Sequence, residues 1–98
     1  MAKRYKYRVL PQVLRDLDAI ADFIVDDNPE RAVSFIDELW ARFRQIAERP
    51  LSFQARSDLG PGLRSALHGT YLIVFLIESE EVVIARVVHG ARDIENLF

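Results

Sequence analysis

Arg64, His68, Arg86 and His89 are the side chains of this 98-residue sequence whose types could carry a reaction at a phosphodiester. Breaking such a bond without a metal needs a base for the attacking hydroxyl, positive charge for the phosphorane and an acid for the leaving oxygen. The arginines, with Arg92, would supply the charge, and histidine is the side-chain type suited to proton transfer near neutral pH. On a regular strand Arg64 and His68 share a face. Arg86 and His89, three positions apart, point oppositely, so the set converges only across a bulge or a strand end. Each residue also has a plainer role. His68 and His89 precede Gly69 and Gly90 and could close strands through local hydrogen bonds, while Arg64 and Arg86 could pair with Glu78, Glu80 or Asp93. Two histidines so far apart in sequence do not make a metal site. The absence of cysteine removes thiolate ligands, a disulfide framework and a cysteine nucleophile. No metal and no organic cofactor is expected.

A second set of residues suits contact better than catalysis. His89, Arg92 and Asp93 lie beyond the last apolar run, where exposed polar groups are free to touch a partner, and Leu97 and Phe98 offer an apolar anchor after them. Leu14, Leu17, Trp40 and Phe43 fall on or beside apolar stripes and are the candidates for holding a partner along the helices. Tryptophan is more often the edge of a core than an interface anchor, although interfaces favour it.

The elements that must position these groups follow from periodicity. Tyr5 to Leu10 alternates apolar and basic residues, predicting a short strand with Tyr5, Tyr7 and Val9 on one side. Pro11 suits the first turn of a helix, and Val13, Leu14, Leu17, Ile20, Ala21 and Ile24 form one stripe with Arg15, Asp16, Asp18 and Asp22 outside it. Asn28, Pro29 and Glu30 read as cap, first turn and dipole partner of a second helix. That helix carries Ala32, Phe35, Ile36, Leu39, Phe43, Ile46 and Ala47 on its apolar stripe and ends near Arg49-Pro50. So short a link makes the pair an antiparallel hairpin. Residues 50–62, with two prolines and two glycines, read as a surface loop. Strands return at Leu63 to His68, Tyr71 to Ile77 and Val82 to Val88, with turns at Gly69-Thr70 and Glu78 to Glu81.

The expected class is therefore α+β: an N-terminal strand, an antiparallel helical hairpin, then a three-stranded antiparallel meander forming one sheet packed against the hairpin, its other face more open. The length suits a single domain over residues 1–98. With half the residues hydrophobic and 29% charged, the chain should fold, though a domain this small buries only about 60–70% of its unfolded surface and gains from a partner. The net charge of −2 argues against a strongly electrostatic nucleic-acid binder. Its distribution is uneven: Lys3, Arg4, Lys6 and Arg8 precede a long acidic stretch from Asp16 to Glu48. Met1 to Tyr7 is basic but lacks the apolar stretch of a signal peptide, and no run approaches the ~20 apolar residues of a membrane span. The expectation is a cytoplasmic protein with no membrane partner.

The segment Arg86-Val87-Val88-His89-Gly90-Ala91-Arg92-Asp93, the preceding hairpin from Leu63-Arg64 to Gly69-Thr70-Tyr71, and the Asn28-Pro29 junction together resemble the ParE branch of the RelE/ParE toxin superfamily. The likeness spans nearly the whole chain. It implies the toxin of a type II toxin–antitoxin pair, a hetero-oligomer in which the C-terminal segment of the cognate antitoxin wraps the toxin. ParE proteins are similar in fold to RelE ribonucleases yet inhibit DNA gyrase by protein binding, whereas RelE members cut messenger RNA on the ribosome. Under this resemblance Leu14, Leu17, Trp40 and Phe43 would meet the antitoxin, and His89, Arg92, Asp93, Leu97 and Phe98 would meet gyrase, with no sequence-specific nucleic-acid binding by the toxin alone. The tail Ile94-Glu95-Asn96-Leu97-Phe98 lacks the tyrosine of RelE-like enzymes, and Phe98 cannot move a proton. The gyrase reading is therefore preferred. The alternatives are a ribosome-dependent ribonuclease using Arg64, His68, Arg86 and His89, and a relic that binds antitoxin without a toxic target.

Overall fold

A computed structural model describes residues 5–94 and Leu97, so Phe98 lies outside the described residues. In chain order the elements are β1 (Lys6–Val9), α1 (Pro11–Val25), α2 (Pro29–Glu48), a 3-10 turn (Pro50–Ser52), β2 (Gln54–Ala55), β3 (Arg64–His68), β4 (Tyr71–Glu78) and β5 (Glu81–His89). Pro11 opens α1 at a position where its missing N–H leaves nothing unpaired. Asn28 caps α2, its side chain accepting the Arg31 N–H at 3.0 Å.

The sheet order is β1-β5-β4-β3-β2. Strands β3, β4 and β5 make the expected antiparallel meander, the first turn using Gly69 at φ +60° and the second Ser79 at φ 56°. The N-terminal strand lies parallel to β5, Lys6 opposite Glu81 and Val9 opposite Ile84, so the helical hairpin begins the long crossover that parallel pairing requires. The two-residue strand β2 adds an edge within what periodicity assigned to loop, Gln54 opposite Ser65.

The main core lies between hairpin and sheet, where Val13, Leu39, Phe43, Ile46, Ile73, Phe75 and Ile84 are all fully buried. Tyr5, Tyr7 and Val9 pack against it as the alternation in β1 predicts. Three expectations need correction. Leu14 is on the stripe by spacing but 49% exposed. Asp16, placed outside the stripe, is buried. The far face of the sheet is not open, because Leu63, Leu72, Val74 and Val88 form a second cluster there with Leu97, and Leu59 and Ile94 pack against it. The strands β4 and β5 are apolar on both faces, so a second cover is what burial of those residues demands.

The burial of Asp16 has a local cause. The strand β1 covers only the first half of β5, and Leu10 N–H ends that side by donating to the Ile84 carbonyl at 2.9 Å. Past this point the β5 backbone has no strand beside it on that side. Asp16, one turn into α1, takes the Val87 N–H at 2.9 Å and replaces the missing neighbour.

Candidate functional site

Arg86 is held where β5 leaves the cover of β1. Its Nε donates to Asp16 Oδ2 at 2.9 Å and its Nη2 to Asp16 Oδ1 at 3.1 Å, a two-pronged pair whose side chains are only 20% and 7% exposed. Its Nη1 donates to the Leu97 carbonyl, so one guanidinium joins α1, β5 and the tail. Arg86 is thus a structural ion-pair partner, with Asp16 instead of the later acids that the sequence suggested. Its register opposite Val74, while Phe75 faces Ile84, leaves Ala85 as an extra residue in β5. This bulge precedes both Arg86 and His89, so it does not bring the two to one face.

His68 and His89 meet around Tyr71. The register places His68 of β3 and His89 of β5 on either side of Tyr71 in β4, so the two backbones are two strand spacings, about 10 Å, apart. Phe35 of α2 completes an aromatic row: ring centroids are 5.3 Å apart for Phe35 and His68, 5.5 Å for Phe35 and Tyr71, and 5.6 Å for Tyr71 and His89. Although distant in sequence, the histidines end one aromatic row, His68 against Phe35 and His89 against Tyr71. Among the described residues no group of three His, Cys, Asp or Glu is placed to hold an ion.

The two imidazoles have different surroundings. His68 Nε2 lies 2.9 Å from Glu38 Oε1, and Glu38 also accepts two bonds from Arg31. The hydrogen bonds from Arg31 first and His68 second hold the Glu38 carboxyl down to about 2, and the same carboxylate raises the Arg31 guanidinium. His89 Nδ1, by contrast, is buried with no hydrogen-bond partner among the described residues, while its backbone N–H donates to Asp93 Oδ2 at 3.3 Å. Beside it a cleft of about 370 Å³ opens between the end of α1, the start of α2 and the β3–β4 turn, lined by Phe23, Phe35, Thr70, Tyr71, His89 and Arg92.

Arg64 is committed elsewhere, donating to the Phe53 carbonyl at 2.8 Å. The four residues proposed for cleavage therefore divide into an Arg64–Phe53 contact, a His68–Glu38 pair, the Arg86–Asp16 clamp and an unpaired His89. Among the contact candidates, Arg92 is 60% exposed beside the cleft and Asp93 lies 3.8 Å from it. Leu97 is buried in the second cluster, so it anchors the tail instead of presenting a side chain. Leu17 and Phe43 are in the main core and can touch a partner only if that core opens; Trp40 is partly buried, its ring edge-on to Phe43 at 5.3 Å. Sequence reasoning passed over Phe23, Val25 and Val33, all exposed. Phe23 was detectable as a large apolar residue off the α1 stripe. Val25 and Val33 border a groove on the outside of the hairpin, floored by Ala21, Ala32 and Ile36 and rimmed by Asp22 and Asp37. No helix of the described residues is long and apolar enough to cross a membrane.

A search of curated proteins finds no match. Among solved structures, one titled as the chromosomal ParDE toxin–antitoxin system from P. aeruginosa superposes with a TM-score of 0.78 at 20% identity, covering 88% of this chain and 96% of that one. A chain of the RelBE2 toxin–antitoxin complex from Mycobacterium tuberculosis gives 0.61 at 26% identity, covering 89% and 99%. The family model for the ParE toxin of the type II toxin–antitoxin system parDE matches residues 7–94. With that match running from β1 to the turn after β5, the chain belongs to the ParE toxin family.

Proposed function

We propose that this toxin acts by binding DNA gyrase and that a cognate antitoxin, bound along the helical hairpin, silences it. The observation that carries the choice of target is the Arg86–Asp16 clamp. An arginine that must stabilise a developing phosphorane has to aim its donors at the substrate, and here the donors of Arg86 are taken by a buried carboxylate and the Leu97 carbonyl. Withdrawing it would leave Asp16 charged and buried. With Arg64 engaged by the Phe53 carbonyl and Arg31 by Glu38, Arg92 is the cation left beside His89 among the described residues, short of the charge cluster that RNA cleavage requires. What remains exposed is a surface of mixed aromatic and charged groups, suited to gripping a protein. The groove rimmed by Asp22 and Asp37 is the proposed antitoxin seat, fitting a basic segment that carries apolar side chains.

The test uses the purified full chain in two assays, DNA supercoiling by gyrase and cleavage of messenger RNA on ribosomes. The expected result is loss of supercoiling with message intact, reversed by the antitoxin. Message cleavage abolished by Arg86→Ala, with supercoiling unaffected, would transfer the protein to the ribonuclease class. Absence of both effects would leave the antitoxin-binding relic.

A further inference from the structure

We propose that the cleft beside His89 is a recognition pocket for a carboxylate carried next to an aromatic or aliphatic group on the target protein. The proposal deepens the gyrase reading by naming the chemistry that its target surface would recognise. Three features converge on one ligand type. Phe23 projects from α1 with 66% of its surface exposed, so it offers an apolar wall that the core does not use. The Arg92 guanidinium lies 6.0 Å from the Phe23 ring centroid and is 60% exposed; its carboxylate neighbour, Asp93, is 3.8 Å away, beyond hydrogen-bond reach. Among the described residues Arg92 makes no side-chain hydrogen bond, which leaves a cation at the rim of an aromatic pocket. Across the cleft Arg31 is already occupied by two bonds to Glu38, so the positive charge is concentrated on the Arg92 side.

The third feature is His89 itself. A buried ring nitrogen without a partner is uncommon in folded proteins, and this one belongs to a residue lining the cleft. One available guanidinium matches one negative charge. A phosphate dianion would bring a second charge against Asp93, which favours a carboxylate as the anionic group. The volume of about 370 Å³ is near the low end for ligand pockets and admits one or two side chains, not an extended strand.

The experiment titrates the full chain with phenylacetate or with inorganic phosphate while following the imidazole and guanidinium nitrogens by NMR. Saturable shifts at His89 and Arg92 with phenylacetate, and not with phosphate at equal concentration, are expected. Shifts with phosphate alone, or with neither probe, would overturn the pocket. In the gyrase assay Phe23→Ala and Arg92→Ala should each raise the concentration for half-inhibition at least tenfold with the melting temperature and antitoxin affinity unchanged. Unaltered inhibition in both variants would also overturn it. Should the unmodified chain fail to inhibit gyrase, the choice of target falls, and the phenylacetate titration still decides the pocket.

Discussion

Glu38 sits between Arg31 and His68 and answers to both. Because its carboxyl is held down to about 2 from an ordinary 4.5, the stabilisation it brings is complete above about pH 4.5 and is lost as pH falls toward 2. The carboxylate is 41% exposed, so solvent screens the pair and the gain in stability is small. A carboxyl titration by NMR should find the midpoint near 2, and Arg31→Ala should move it upward; an ordinary midpoint in the unmodified chain would mean that the Arg31 pair does not persist in solution. Phe75 is the opposite case, fully buried at the centre of β4. Removing its ring should cost about 3–5 kcal/mol through lost burial and the cavity left behind. Equilibrium denaturation of Phe75→Ala measures this, and a loss below about 1 kcal/mol would place the residue outside the main core.

At the scale of elements, the Asp16 contact is what lets α1 substitute for a strand along the second half of β5. Asp16→Asn keeps the shape but removes the charge, leaving the Arg86 guanidinium uncompensated in a mostly buried place. A destabilisation of about 3–5 kcal/mol is expected from denaturant curves. The double change Asp16→Leu with Arg86→Met should cost less than Asp16→Leu alone, because no unpaired charge remains. This contact also explains where sequence reading succeeded and where it stopped. Period and punctuation are local properties, so the Asn28-Pro29 cap, the apolar stripe of α2 and the Gly69-Thr70 turn were all readable. The burial of Asp16 depends on β1 being only four residues long, beside a strand more than seventy positions later, and no helical period encodes that. The His68–Tyr71–His89 row was hidden for the same reason: it is a consequence of register. The sequence reading named a bulge between Arg86 and His89 as the condition for bringing them together; the bulge at Ala85 lies ahead of both, and its position came only from the pairing. At the candidate site, Arg92 was readable as an exposed cation, whereas Phe23 acquires meaning only once α1 is laid beside the end of β5.

The whole molecule carries its charges unevenly, with Asp18 and Asp22 of α1 and Glu30 of early α2 exposed on the hairpin and the groove between Asp22 and Asp37 among them. A basic antitoxin segment bound there should raise stability by about 2.7 kcal/mol when present at a hundred times its dissociation constant. Thermal melting with and without the peptide measures this, and Val33→Asp, on the groove wall, should weaken the gain while leaving the melting of the free chain nearly unchanged. No rise at saturating peptide would remove the hairpin from the antitoxin's path. The neighbouring of β1 and β5 has a consequence for how the toxin comes into being. The interior strand β5, flanked by β1 on one side and β4 on the other, is the last of the described strands to be synthesised. A chain halted anywhere before Glu81 would hold β1 with no companion strand and Phe75 without Ile84 opposite it. Nothing useful can be assembled from such a fragment, and contacts of so wide a sequence separation form slowly in any case. Translation interrupted before Glu81 therefore leaves the parallel β1–β5 pair and the core beneath it unformed, and this sheet closes only once β5 has been made.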